Sequence, residues 1–199
     1  MAKERGRNDE RSRIAHLAAR IMAEDGVEDY ATAKRKAARQ AGVPGTRALP
    51  TNEEIDAALR THQALYGGEE HRERLRELRE RAVEVMCELA RFNPYLTGSV
   101  LSGYAGKFAD INLQLYTDNA KGVELYLIDR DIGYRAGQAR VYCGEEARTV
   151  PTFTIIDEPV EIELTVLGAD DVRQPVRTTL DGKPLERARL QAVEALLAA

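Results

Sequence analysis

The feature that most constrains the fold lies at residues 98–116, where a predicted glycine-containing loop leads directly into an alternating strand pattern. The first part of this segment contains three glycines, and the second part alternates polar and apolar side chains from Asp110 to Tyr116. Alternation of this kind is typical of a half-buried β-strand. Because side chains on a strand repeat every two residues, Asp110, Asn112 and Gln114 are predicted to share one face.

Such a segment suits a site that binds a phosphate group together with a metal ion. Glycine lets backbone N–H groups approach phosphate oxygens, and carboxylates hold the magnesium that accompanies phosphates. Gly98, Ser99 and Lys107 are therefore the candidate phosphate-binding residues. Further basic candidates, without motif support, are Arg130, Arg135 and Arg140.

The Gly-Ser pair at 98–99, a ten-residue spacer and the acidic residue Asp110 at the start of a strand resemble a known signature. It is that of the polymerase-beta-like nucleotidyltransferase superfamily, in particular its small bacterial members. The resemblance covers about residues 92–168. It implies binding of a nucleoside triphosphate with Mg²⁺ and transfer of a nucleotidyl group to an acceptor. Members carry a second carboxylate at the position of Asn112 and a third on a neighbouring strand.

The third carboxylate is sought in residues 160–167, which alternate as a strand and place Glu161 and Glu163 on one face. Glu163 fits better and Glu161 is the alternative. The resemblance thus implies a catalytic and metal-binding set of Asp110, Asn112 and Glu163. An asparagine brings no negative charge to a metal and cannot act as a base. The alternative function is therefore a catalytically degenerate protein, acting as a nucleotide-binding, regulatory or antitoxin-like module with a protein partner.

The charge distribution bears on the partners. The net charge is −4, with 18 basic and 17 acidic side chains in residues 1–92 and 11 and 16 in residues 93–199. This balance disfavours nucleic acid as the main partner, although the basic residues between Lys34 and Arg39 keep it as a lesser alternative. No P-loop and no Gly-x-Ser-x-Gly elbow occurs in the chain.

Two cysteines, Cys87 and Cys143, fit neither metal spacing nor a disulfide framework. Cys87 lies within an apolar helical run and is predicted to be buried in the protein core. No apolar run approaches the 18 or so residues of a membrane span, and the first residues are charged rather than leader-like. We expect a cytoplasmic, bacterial-type protein with no membrane segment.

The predicted fold is α+β, with a helical region at residues 1–91 and a nucleotidyltransferase-like domain at residues 92–199. About four helices make up the first part. Thr51 and Glu54 form the pattern of a capping box at the start of the third. The second part is predicted to contain a small mixed sheet flanked by helices, ending in a helix from about Pro184 to Leu197.

Overall fold

A computed structural model describes the backbone of residues 2–25, 27, 30–43, 45, 48–66, 68–106, 109–157, 159–178 and 184–198, with side chains described for all of these except 2–7, 24–25 and 63–66. The fold is α+β, as predicted. Its helices are α1 (Ala2–Asp25), α2 (Tyr30–Gln40), α3 (Asn52–Tyr66), α4 (Glu69–Glu88), α5 (Gly98–Ser102), α6 (Ala120–Asp129) and α7 (Leu190–Leu197). Its strands are β1 (Pro94–Thr97), β2 (Ile111–Tyr116), β3 (Tyr134–Cys143), β4 (Glu146–Asp157), β5 (Val160–Leu167), β6 (Val176–Arg177) and β7 (Arg187–Ala188).

The chain divides into two compact units. The helical unit comprises Met1–Arg74 together with Gly103–Ala109, and the sheet unit comprises Leu75–Ser102 together with Asp110–Ala199. In the described part of the chain, no helix combines the length and the apolar character that crossing a membrane requires.

The helical unit is built from α1, α2 and α3 around a core of small and branched side chains. Ile14, Ala18 and Ile21 of α1 lie on one side of the helix and are buried in this core. Ala33 and Ala37 of α2 are fully buried against this core. Alanine at the contacts allows the helices to approach closely, so a large part of this core is formed by methyl groups rather than by long side chains.

The capping box at the start of α3 is also confirmed. The Thr51 backbone N–H donates to Oε2 of Glu54 at 2.7 Å, and the Glu54 backbone N–H donates to Oγ1 of Thr51 at 3.2 Å. Arg11 of α1 donates through Nε to the same Glu54 oxygen at 2.7 Å. Two of the free N–H groups at this helix end are therefore satisfied locally, and the same carboxylate links α3 to α1.

The sheet unit contains a mixed sheet whose described strands run in the order β6-β3-β4-β5-β2-β1-β7. Strands β2 and β5 are parallel, and every other described pair is antiparallel. The parallel pair places Asn112 beside Glu163 and Ile111 beside Ile162. This register is the feature that positions the candidate site.

The central strands have one apolar face and one face that is polar around the start of β2, while at the end of β2 Tyr95, Tyr116 and Leu167 are buried in a second apolar cluster. The apolar face carries Leu96 of β1, Leu113 of β2 and Leu164 of β5, each at most 1% exposed. The residues that alternate with these leucines point to the other face. They are Thr97 of β1, Asn112 and Gln114 of β2, and Glu161, Glu163 and Thr165 of β5. Period-two alternation predicts this division, because neighbouring residues on a strand point to opposite faces.

Three local predictions are corrected. The last helix begins at Leu190 rather than near Pro184, because Arg187 and Ala188 are extended and pair with β1 as the edge strand β7. Cys87 is exposed rather than in the core, since α4 turns the neighbouring Met86 inward instead. The segment after β1, predicted as a loop, contains the short helix α5.

Candidate functional site

A row of polar side chains crosses the polar face at the start of β2. Thr97 of β1 lies beside Asn112 of β2, Asn112 lies beside Glu163 of β5, and Glu163 lies beside Thr154 of β4. Asp110 immediately precedes β2 and, by the two-residue repeat, belongs to the same face. The register therefore brings the three predicted ligands Asp110, Asn112 and Glu163 to one face. We refer to these three residues, two carboxylates and one amide, as the carboxylate cluster.

The two carboxylates of the cluster affect each other electrostatically. The pKa of Asp110 is raised, first by its burial and then by the negative charge of Glu161, while the Glu161 backbone N–H and the Arg135 guanidinium act in the opposite direction. The pKa of Glu163 is raised by burial and by the charge of Asp110. Both groups therefore hold protons more readily than free carboxyls, as expected where neighbouring anions are poorly compensated. A bound cation would relieve this repulsion.

The choice between Glu161 and Glu163 is decided by their partners. One terminal nitrogen of Arg135 donates to both carboxylate oxygens of Glu161, each at 2.6 Å. Glu163 is half-buried, and no cationic side chain forms an ion pair with it within the described ranges. Arg135 thus compensates part of the charge of Glu161, although that charge still raises the pKa of Asp110. Glu163 is the better candidate for the third ligand.

Asn112 faces the glycine that opens the predicted motif. Its Nδ2 donates to the backbone oxygen of Asp110 at 3.3 Å, and among the described residues no donor bonds to its Oδ1. Gly98 has φ +77°, and a Cβ at this position would lie 3.4 Å from Nδ2 of Asn112. Gly98 is therefore favoured by its left-handed backbone, since an added Cβ would make only an ordinary van der Waals contact with Asn112. Because no described donor bonds to Oδ1, the amide oxygen of Asn112 is available to accept a ligand.

The other predicted phosphate-binding residues have varied positions. Ser99 is partly buried in α5, adjacent to Gly98, and Lys107 lies outside the described residues. Arg135 is engaged by Glu161, as described above. Arg140 projects to the opposite face from Arg135, because five residues separate them on the same strand. Arg130 lies at the end of α6, with its Cζ 5.1 Å from the centre of the Tyr126 ring.

The basic face of α2, predicted as an alternative nucleic-acid contact, belongs to the helical unit. Nζ of Lys34 donates to Oδ1 of Asn52 at 2.7 Å, and burial lowers the pKa of Lys34. Lys36 and Arg39 are exposed. Part of this positive charge is therefore used inside the unit to join α2 to the start of α3.

Several polar residues of the same sheet face were missed by the sequence reasoning. Thr97 and Thr152 are buried on it, at 6% and 7% exposure. Alternation of threonine and apolar residues through β4 was a usable signal for Thr152 and Thr154. No local signal marks Arg187, because a two-residue strand such as β7 depends on its pairing with β1.

A cavity of about 260 Å³ lies on the apolar side of the sheet, where α4 and α6 cover it. Ile155 and Ile162 contribute to its wall, and an ion pair between Arg81 and Asp157, with Nε and Oδ2 2.6 Å apart, lies at its rim. Since the side chain of Glu163 projects to the other face, this cavity is separate from the carboxylate cluster.

The cluster supplies hard oxygen donors but little charge. Within the described residues, no group of three or more acidic, histidine or cysteine side chains is arranged to hold a metal ion. Two carboxylates and one amide oxygen remain, from Asp110, Glu163 and Asn112. Magnesium sites of this type use one or two carboxylates and complete the coordination with phosphate oxygens and water. The arrangement is thus suited to a cation that arrives with a phosphate ligand.

Comparison of the chain with family models, with curated proteins and with solved structures finds no match. The arrangement of Asp110, Asn112 and Glu163 beside Gly98 is therefore the basis on which a function is assigned.

Proposed function

We propose that the sheet unit binds a nucleoside triphosphate together with Mg²⁺ at the carboxylate cluster. The observation that carries this proposal is the parallel register of β2 and β5, which sets Glu163 beside Asn112 and close to Asp110 on one face. The glycine backbone at Gly98, next to Asn112, supports it, because the N–H groups of a backbone without a side chain can approach phosphate oxygens.

Each residue has a distinct role in this proposal. Asp110 and Glu163 hold the cation through their carboxylates, and Asn112 offers its amide oxygen. The backbone at Gly98 and the hydroxyl of Ser99 contact the phosphates. A bound divalent cation neutralises phosphate charge and makes the phosphorus easier to attack.

The Asp110 and Glu163 carboxylates also bear on proton transfer. Burial raises the pKa of each, with a further rise from the charge of Glu161 for Asp110 and from the charge of Asp110 for Glu163, so a metal-free site retains protons that cation binding would release. Asn112 can neither take a proton from an acceptor hydroxyl nor add a third charge. The site therefore favours binding over rapid nucleotidyl transfer, and any transfer to an acceptor is expected to be slow.

Titration with a fluorescent nucleoside triphosphate, with and without Mg²⁺, tests the proposal. Asp110→Ala and Glu163→Gln should each weaken the magnesium-dependent binding by at least about tenfold, equivalent to about 1.4 kcal/mol. Glu161→Gln is the matched control, because Glu161 lies on the same strand and face but is held by Arg135. Unchanged binding in the Asp110 and Glu163 variants would rule out this site.

A second candidate function is that of a catalytically degenerate module, which binds a nucleotide or a protein partner without turnover. The observation that favours it is Asn112 at the second ligand position, together with the partial neutralisation of Glu161 by Arg135. Incubation with triphosphates and Mg²⁺ should then give no pyrophosphate above background. Steady release that depends on Asp110 would instead identify an active nucleotidyltransferase. A cytoplasmic location and a protein partner remain predictions from the sequence.

A further inference from the structure

A pair of arginines lies on the polar face at the edge strand β7, and nothing above assigns it a role. Arg187 lies beside Thr97, which lies beside Asn112, so Arg187 extends the polar row that contains Glu163. Arg189 follows two residues later, at the start of α7. Oγ1 of Thr97 donates to the backbone oxygen of Glu186 at 2.8 Å and fixes β7 against β1.

The groups that surround the two guanidinium groups are neutral. Arg187 donates to the hydroxyl of Tyr116 and, at 2.6 Å, to the backbone oxygen of Val172. Arg189 donates through Nε to the hydroxyl of Tyr95 at 2.7 Å. The Cζ of Arg187 lies 5.7 Å and 5.2 Å from the ring centres of Tyr95 and Tyr116. Two aromatic rings and a carbonyl therefore hold Arg187 in one orientation.

Among the residues that the structure describes, no carboxylate forms an ion pair with either arginine, since none lies within 4.0 Å of either guanidinium group. Arg187 is partly buried, and its remaining N–H groups have no acceptor among the described residues. A partly desolvated cation is normally paired with an anion. Arginine in particular presents a planar fork that matches phosphate oxygens.

The position of the pair relates it to the carboxylate cluster. The Tyr116 hydroxyl, which accepts from Arg187, donates to Oε1 of Gln114 at 2.8 Å. Gln114 lies two residues from Asn112 on the same strand face, which corresponds to about 7 Å along the strand. The Arg187 guanidinium is therefore on the order of 10 Å from the cluster, with the buried side chains of Gln114 and Tyr116 between them. The two ends of the polar face have opposite charge.

We propose that Arg187, assisted by Arg189, forms a second subsite that binds a phosphoryl group, while the carboxylate cluster holds the cation at the other end. This inference rests on the proposed function, since it assigns one end of the ligand to each part of the same face. The phosphoryl group belongs either to the nucleotide bound at the cluster or to a separate phosphorylated acceptor. The tyrosine rings fix the arginine in place before the ligand arrives, which reduces the entropy lost on binding.

The first test measures binding of inorganic phosphate to the full chain by ³¹P NMR line broadening, in EDTA, so that the cluster holds no cation. Arg187→Met should weaken phosphate binding by at least about tenfold, and Arg187→Lys should restore only part of it, because lysine lacks the planar fork. Arg135→Met is the matched control, since Arg135 lies on the same face but is paired with Glu161. Circular dichroism checks that each variant is folded.

Several outcomes would overturn the inference. These are the absence of phosphate binding in the wild type, equal binding in wild type and Arg187→Met, or equal losses in Arg187→Met and Arg135→Met. If the Arg187 variants do not fold, Arg189→Gln at the exposed neighbouring position replaces them, and a smaller loss of phosphate binding is expected. Asp110→Ala should leave metal-free phosphate binding unchanged while weakening magnesium-dependent nucleotide binding. This variant separates failure of the proposed function from failure of the second subsite.

A competition experiment identifies the source of the phosphoryl group. With Mg²⁺ present, a nucleoside triphosphate that displaces inorganic phosphate from Arg187 indicates that the nucleotide's own phosphates reach the second subsite. Simultaneous binding of both ligands indicates that the subsite receives the phosphate of an acceptor. Either result supports the subsite, provided that the inorganic phosphate signal is lost in Arg187→Met.

Discussion

The two faces of the central sheet are made by the same strands, yet different interactions determine their composition. On the apolar face, Leu113 and Leu164 are almost completely excluded from solvent, and a large hydrophobic transfer free energy favours them there. On the polar face, Asn112 and Glu163 lie beside each other and remain partly exposed, and burial raises the pKa of the glutamate. The apolar face stabilises the fold. The polar face instead carries the partly buried carboxyl groups of Asp110 and Glu163, and burial raises the pKa of both.

The largest expected effect compares adjacent residues that project to opposite faces. Leu164→Ala removes a fully buried side chain from the apolar face and should lower the free energy of unfolding by about 3 kcal/mol, within a range of about 2–5. Thr165→Ala, the next residue on the polar face, should cost less than about 1 kcal/mol. Urea denaturation followed by circular dichroism measures both. Equal losses would show that the polar face contributes to stability as much as the core does.

A smaller loss of stability is expected from Gly98→Ala. An alanine at φ +77° costs about 1–2 kcal/mol, and its Cβ would contact the amide of Asn112 at 3.4 Å. Gly133→Ala is the control, because a Cβ there meets nothing within 4 Å and the backbone is not left-handed. Thermal unfolding compares the two. If Gly98→Ala matches Gly133→Ala in stability and retains nucleotide binding, Gly98 is not needed for the geometry of the polar face.

The parts of the site that could be predicted from the sequence depend on local patterns, and the parts that could not depend on long-range pairing. Alternation within β2 and β5 was enough to predict the polar face, and the residues Asp110 and Glu163 follow from it. The parallel pairing that places Glu163 beside Asn112 could not be derived from alternation, because β3 and β4 separate the two strands in sequence. Here the family resemblance supplied the prediction.

The predictions that failed are those in which tertiary contacts override local patterns. Residues near Arg187 read as the start of a helix, since proline is common in a first turn. Pairing with β1 keeps them extended instead. The arginine pair therefore had no sequence signal, although its position completes the row of polar side chains that starts at Glu163. Cys87 was misassigned because one residue on a helix changes the direction of the side chain by about 100°.

The role of Asn112 can be tested by a gain of function. Asn112→Asp restores a third negative charge at the cluster and should tighten binding of Mn²⁺, used as a magnesium analogue, by about tenfold, or about 1.4 kcal/mol. The metal-free protein should lose stability at the same time, because the new carboxylate repels Asp110 and Glu163. Asn119→Asp makes the same change at the exposed N-cap of α6 and should alter neither property. Electron paramagnetic resonance of free Mn²⁺ gives the affinities.

Absence of tighter binding in Asn112→Asp would show that the amide does not face the cation. Pyrophosphate release should also be measured in this variant. A rate that rises with the restored carboxylate would indicate that Asn112 alone limits catalysis, whereas tighter binding without release would support the degenerate module.

The smallest expected effect is a pH dependence of stability in the metal-free protein. Burial, and then the charge of Asp110, raise the pKa of Glu163, so the native state retains a proton at pH values where the unfolded chain has lost it. The contribution of this group to stability is therefore complete below the unfolded pKa of about 4.3, and it is lost as the pH rises through the raised native pKa. Glu163→Gln cannot lose a proton, so its stability relative to wild type should increase over that window and then level off.

Urea denaturation in EDTA at intervals from about pH 4 to about pH 8 measures this difference. Glu161→Gln serves as the control on the same strand, since it removes a partly exposed ion pair with Arg135 and should give no gain in stability at neutral pH. Addition of Mg²⁺ and nucleotide should make the wild type more stable than Glu163→Gln, because the wild-type carboxylate then gains a counter-charge that glutamine cannot use. A stability difference that is independent of pH would show that Glu163 is solvated like an ordinary surface residue. The polar face would then be a solvent-exposed side of the sheet rather than a prepared site.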